Sequence, residues 1–279
     1  MTESDPHSPR IARRRFVQLL AALPLVSGYA LAQPLSTLSS EVTNMTTQRT
    51  IKPKALVFDM QGTVLDFYDP MMDALTQTSS FASHLAEWST FAVAWSAAAH
   101  DAIVEIAAGR KRWQSNGAVY ADVLPPLLSR YPGRLALSAD DKARLLAVWS
   151  NMKPWADSAT GLAELKKSFT IATLTNASMA AMITLVKREK LPFDAVLTGE
   201  LVHAFKPDAC VYQLASDYLG FASGEVMLVS AHKWDLRAAK HNGLLTAFVP
   251  RLYENGPFTT IDTSPETFIN ISAPDLEVV

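Results

Sequence analysis

The segment Asp59-Met60-Gln61-Gly62-Thr63 sets a carboxylate three residues before a glycine and four before a hydroxyl, directly after the apolar run Ala55 to Phe58. A strand ending there would leave Asp59 at the tip of a tight loop, since Gly62 accepts backbone angles other residues resist. A carboxylate so placed can act as a nucleophile and form an ester; the same residue can equally cap the turn. Three further segments carry groups that complement it. Thr175-Asn176 offers hydroxyl and amide ahead of a helix, where free N–H groups favour an anion, although an ordinary N-cap has the same composition. Lys206-Pro207-Asp208 puts an ammonium just before another helix, able to keep a carboxylate ionised or to stay solvated. Ser230-Ala231-His232-Lys233-Trp234-Asp235 supplies a hydroxyl, an imidazole and a second carboxylate. His232 alone would read as a loop histidine.

These groups need elements to bring them together. Short apolar runs alternate with segments of helical period, the pattern of βαβ units around a parallel sheet, so the fold class expected is a doubly wound α/β sheet. Strands are expected at Ala55 to Phe58, Thr170 to Leu174, Ala195 to Thr198, Val226 to Val229 and Thr246 to Val249. Helices are expected at Ser178 to Glu189, Pro207 to Tyr218 and Trp234 to Asn242, with Pro207 as an N1 proline and Gly243 just past a helix end. In such sheets ligands bind outside the carboxyl ends of the strands, which is where Asp59, Thr175 and Ser230 fall. The interval after the first strand is too long for one crossover and is rich in Trp and Ala. It predicts an inserted helical subdomain over 71–155, with the α/β core formed by 54–70 and 156–279.

The 279 residues carry 25 basic and 27 acidic side chains, a net charge of −2 that gives no footprint for nucleic acid. One cysteine, Cys210, cannot form an internal disulfide, and no Cys/His spacing suits a structural zinc site. Cys210 is expected to be an inert thiol on an apolar helix face. Trp88, Trp95, Trp113, Trp149 and Trp155 read as core and rim of the insert. At the start of the chain, Arg13-Arg14-Arg15-Phe16, the apolar stretch Leu19 to Leu31 and Ala30-Leu31-Ala32 follow the order of a signal peptide, and the arginines resemble a twin-arginine signal. The expectation is a signal over 1–32 cleaved before Gln33, a Ser/Thr-rich flexible leader over 33–53, engagement of the twin-arginine export machinery and a periplasmic location.

Taken in order, Asp59-x-x-Gly62-Thr63, Thr175-Asn176, Lys206-Pro207-Asp208 and Ser230 with Asp235 resemble the four motifs of the haloacid dehalogenase superfamily, over about Lys54 to Arg251. Most members are magnesium-dependent phosphatases with an acid/base aspartate two residues after the nucleophile. Gln61 holds that position here, and Gln shuttles no proton. The wording Phe205-Lys206-Pro207-Asp208 with Tyr212, Ser230 to Leu236, and Gly243-Leu244 to Phe248-Val249-Pro250-Arg251 is similar to the type II L-2-haloacid dehalogenases, which need no metal and no cofactor. That resemblance implies attack of Asp59 on the α-carbon of a small L-2-halocarboxylate with inversion, then hydrolysis of the aspartyl ester. It implies that Thr175 and Asn176 hold the substrate carboxylate and that Lys206 offsets charge at Asp59. Asp235, assisted by Ser230 and Lys206, would position or activate water, with Thr63 and Tyr212 orienting these groups. His232 stands where relatives have Asn or His, and a homodimer is implied.

Two positions depart from that branch. Gln61 replaces an aromatic residue, and in Phe91-Ala92-Val93-Ala94-Trp95-Ser96 a serine stands where relatives carry an arginine that helps receive the halide. Arg110, Lys111 and Arg112 offer substitute cations, or a solvated face. A phosphatase of the same fold and a binding protein that has lost turnover are the alternatives.

Overall fold

The computed structural model describes residues 52–78, 85–131 and 137–279. Strand β1 (Ala55–Phe58) is followed by the short β2 (Leu65–Asp66), by helices α1 (Tyr68–Leu75), α2 (Leu85–Ala107), α3 (Asn116–Leu128) and α4 (Ala139–Val148), and by β3 (Lys153–Pro154). The chain then alternates through α5 (Ser158–Leu165), β4 (Thr170–Thr175), α6 (Met179–Arg188), β5 (Ala195–Thr198), α7 (Ala209–Leu219), β6 (Val226–Ser230), α8 (Lys233–His241) and β7 (Leu245–Phe248), and closes on the short β8 (Ile271–Ser272). Residues 1–32 and the leader up to residue 51 lie outside the described residues.

The large sheet has the order β5-β4-β1-β6-β7-β8 with every pairing parallel. Because successive side chains alternate faces, Leu56, Phe58, Ile171, Met227 and Val229 enter one core and Ala55, Val57, Ala172, Leu174 and Leu228 the other. Leu162 and Leu165 of α5 with Met182 and Leu185 of α6 cover the first face; Val211, Leu214 and Ala215 of α7 with Leu236 and Ala239 of α8 cover the second. This is why the strands read as nearly continuous apolar runs. Order reverses at β1, so the crevice that such sheets use for ligands opens at its carboxyl end.

Helices α1 to α4 fall between β2 and β3, whose antiparallel pairing, Leu65 with Pro154 and Asp66 with Lys153, closes the base of the insert. Helix α1 begins ahead of the expected insert start. The aromatic expectation for this region agrees with the structure: Trp88 and Trp95 are fully buried, and Trp149 stacks on Tyr120 with ring centroids 4.0 Å apart.

Strands β4 and β6 each run one residue further than the apolar pattern suggests, taking in Thr175 and Ser230, while β7 lies one residue earlier than expected. Pro207 is not an N1 proline. Asp208 is the N-cap of α7, its carboxylate accepting from Cys210 N at 3.0 Å, so the helix starts beyond it. Pro207 follows Lys206 through a cis peptide bond. Gly243 does follow α8, with φ of +85°.

Candidate active site

Asp59 leaves β1 at the sheet's centre, its N–H donating to Val229 O at 3.0 Å. The loop then turns sharply at Gly62, where φ is +81° and the N–H donates to Leu65 O at 2.8 Å. That turn brings Thr63 back over the strand end, where its hydroxyl donates to Asp59 Oδ2 at 2.8 Å and accepts from Ala231 N at 2.9 Å. Arg251, after β7, braces the turn from outside by donating through Nε to Thr63 O at 2.7 Å and through Nη1 to Asp157 at 2.8 Å.

Lys206 reaches the site from the segment before α7. Its ammonium lies 3.3 Å from Asp59 Oδ1 and 2.7 Å from Asp235 Oδ2, and the Tyr212 hydroxyl donates to the other Asp235 oxygen at 2.7 Å. Asn176 holds the Lys206 backbone, accepting from its N–H at 2.7 Å. The Thr175 hydroxyl accepts from Ala177 N at 3.2 Å, and the Ser230 hydroxyl from His232 N at 3.1 Å. The nine site residues named from the sequence therefore sit at the carboxyl ends of β1, β4 and β6, on the elements just beyond these strands, or, for Lys206 and Tyr212, on the segment after β5.

The charges follow from this packing. Burial opposes ionisation of Asp59, but the Lys206 ammonium, His232 and Thr63 outweigh it and hold the carboxyl well below the usual range. Burial would also strip the proton from Lys206, yet Asp235 and Asp59 raise its pKa instead. For Asp235, burial dominates and pushes the carboxyl up, with Lys206 pulling the other way.

Above Asp59 lies a cavity of about 270 Å³ that Asp59, Thr175, Asn176 and His232 line from the sheet side, and Gln61, Ser96, His100 and Tyr120 line with them. Asp235 and Lys206 lie behind that wall, with 0% and 1% exposure. The Gln61 carboxamide is turned onto the Tyr120 hydroxyl, Nε2 2.7 Å and Oε1 3.0 Å from it. Arg110 does not reach this cavity: it is exposed and pairs with Glu105 at 2.7 Å. Lys111 and Arg112 line a separate cleft of about 680 Å³ between α2 and α3. The solvated-face alternative describes this cluster.

Sequence reasoning missed Glu254. Its carboxylate accepts from His232 Nε2 at 2.8 Å, while His232 Nδ1 lies 3.0 Å from Asp59 Oδ2. Burial favours neutral imidazole, but Glu254 and Asp59 raise the pKa of His232 well above its ordinary value. A lone glutamate in Tyr253-Glu254-Asn255-Gly256 has no periodic or spacing signal; only its position shortly after Pro250-Arg251 places it near the last core strand. Gln61 and Tyr120, 59 residues apart, were equally invisible as a pair.

A divalent cation does not fit beside this Asp59. Ammonium and imidazole occupy its two oxygens, Gln61 is committed to Tyr120, and Glu254 to His232. Among the described residues no group of three His, Cys, Asp or Glu side chains is arranged to hold a metal.

Residues 53–243 match the family model described as haloacid dehalogenase-like hydrolase. Among curated proteins, (S)-2-haloacid dehalogenase of Pseudomonas fluorescens is 32% identical over 136 residues, which is 47% of this chain and 59% of that protein. The chain thus spans somewhat over half the length of such relatives. Among solved structures, L-2-haloacid dehalogenase PA0810 superposes with a TM-score of 0.70 at 30% identity, covering 80% of this chain and 96% of that one. The defluorinating L-2-haloacid dehalogenase Rha0230 gives a TM-score of 0.72 at 30% identity, covering 81% and 92%. With a parallel sheet reversing at β1, an aspartate at that strand's end and a family match over most of its length, the chain belongs to the haloacid dehalogenase-like hydrolases.

Proposed function

We propose that the protein hydrolyses small L-2-haloacids to 2-hydroxy acids and halide through an ester on Asp59. One observation carries this reading: an ionised aspartate, paired with a buried lysine, opens onto a cavity of about 270 Å³ that Thr175, Asn176 and His232 also line. The names of the relatives above support the substrate class.

Thr63 and His232 hold Oδ2, whereas Oδ1 has Lys206 alone at 3.3 Å, so Oδ1 is the attacking oxygen. It bonds to the substrate α-carbon from the side opposite the halogen, the carbon–halogen bond breaks with its electrons on the halide, and configuration inverts. Thr175, Asn176 and the N–H groups beyond β4 receive the substrate carboxylate. Water then adds to the ester carbonyl carbon and gives a proton to Asp235, the carboxylate that Lys206 holds next to Asp59. Collapse breaks the bond from that carbon to Oδ1, and the departing alkoxide takes the proton from Asp235. Asp59 keeps Oδ2 and the oxygen from water, and its own proton passes to solvent.

Halide release from L-2-chloropropionate with chelator present, beside Asp59→Asn, tests the reading. Metal-independent release lost in the variant supports it, as does transfer of ¹⁸O from labelled water into Asp59 after one turnover. No release, or magnesium-dependent phosphate release from phosphorylated substrates, overturns it.

We also propose that the protein reaches the periplasm by the twin-arginine route. The arginines before Phe16, the apolar stretch and Ala30-Leu31-Ala32 support this.

A further inference from the structure

Each ring nitrogen of His232 faces a carboxylate oxygen, Nδ1 that of Asp59 at 3.0 Å and Nε2 that of Glu254 at 2.8 Å. Ionised carboxylates only accept, and a neutral imidazole has one N–H to give. A neutral ring would set a lone pair against a carboxylate on one side; the imidazolium satisfies both. The other ionisable groups facing this ring are Lys206 and Asp235, through Asp59, and His100 from α2, across the Trp234 ring. Burial and the His232 charge push the His100 pKa down, so no second imidazolium competes.

Thr63 is oriented the same way. Its oxygen accepts from Ala231 N, so its proton is directed at Asp59 Oδ2, the atom His232 Nδ1 also faces. Two donors therefore converge on one oxygen, the one left as ester carbonyl when Oδ1 is alkylated.

We propose that Glu254 is a positioning residue that keeps an N–H on both nitrogens of His232, so that His232 and Thr63 form the oxyanion site for hydrolysis of the Asp59 ester; this rests on the covalent reading above. As water adds, the carbonyl electron pair moves onto Oδ2, and it returns when the bond to Oδ1 breaks. Donors fixed before that charge develops stabilise it more than they stabilise the ester. A charged donor is stronger than a neutral one, which is what Glu254 contributes from outside the family-matched segment. The turn is built around this carboxylate: a Cβ on Gly62 would lie 2.2 Å from Glu254 Oε1 and 3.0 Å from His232 Cε1.

In the first half-reaction the same imidazolium makes Asp59 a poorer nucleophile. Its loss should therefore slow hydrolysis and spare alkylation, a split that general disruption would not produce. The test is rapid quench of the full chain with L-2-chloropropionate, comparing wild type, Glu254→Gln and His232→Leu, and reading halide per active site and the Asp59 ester by intact mass. We expect both variants to give a first-turnover burst of halide, to accumulate ester, and to lose steady-state turnover by at least about 10-fold, approaching the ~10²–10³-fold known for loss of one oxyanion donor. Burst and turnover falling together, or no more ester in the variants than in wild type, overturns the proposal. No halide from wild type defeats the functional reading instead.

Discussion

Lys206 donates to Asp235 at 2.7 Å with both side chains shut off from solvent, 1% and 0% exposed. Such a pair stabilises only while both members are present, because a lone buried charge has no water to fall back on. Lys206→Met would leave Asp235 and Asp59 facing each other, and we expect it to cost about 3–5 kcal/mol in urea unfolding and to abolish halide release. Lys206→Met combined with Asp235→Asn should regain part of that stability and none of the activity. Equal stability of the single and double variants would contradict the coupling.

Asp66, at the base of the insert, has its pKa pushed up to about 6 by burial, although the N–H of Tyr68 donates to it at 2.8 Å. An acid whose folded pKa is raised holds more protons folded than unfolded between the two values, so its contribution to stability falls as pH rises from about 4 to about 6. Asp66→Asn keeps an acceptor for the helix and removes the titration. Its stability relative to wild type should therefore increase across that window and level off above it, read from denaturant midpoints at several pH values. A difference that does not change with pH would refute this.

Gly62 and Gly243 share positive φ, but only Gly62 is crowded. At Gly243 an added Cβ meets nothing closer than Ser223 Cβ at 3.5 Å, whereas at Gly62 it meets the Glu254 carboxylate. Both alanine variants should lose about 1–2 kcal/mol of stability to left-handed backbone. Gly62→Ala should additionally show the accumulated ester expected of Glu254→Gln. Wild-type turnover in Gly62→Ala would count against the placement of Glu254.

Export is checked by N-terminal sequencing of periplasmic material, where Gln33 is the expected first residue. Replacing Arg13 and Arg14 together by Lys should leave the unprocessed protein in the cytoplasm. Normal processing of that variant would overturn the twin-arginine assignment.

Much of the α/β core was legible because buried parallel strands must be apolar throughout and end where polarity begins. Asp59 and Thr175 mark such ends. The two-residue strands Leu65–Asp66, Lys153–Pro154 and Ile271–Ser272 were not, since a pair of residues carries no period and their pairing comes from tertiary contact. Pro207 misled because a proline near a helix start fits N1 by composition, while the cap hydrogen bond of Asp208 decides where the helix begins. Motif order brought Lys206, Ser230 and Asp235 to the site because each abuts a strand end or the helix after one. Glu254 and Tyr120 reach it through a loop and an inserted helix, whose paths depend on packing that one-dimensional spacing does not record.

The strand that carries Asp59 is the first among the described residues yet sits between β4 and β6, and the groups that contact the Asp59 side chain include Lys206, 147 residues away, and His232, 173 away. For the 147 residues up to Lys206 a growing chain carries Asp59 with neither that ammonium nor His232 beside it. Contacts of such long separation form late and slowly. Translation order thus leaves Asp59 an ordinary solvated aspartate until late: its lysine and imidazole contacts, and any chemistry that depends on them, form only in a molecule whose sheet has closed around β1.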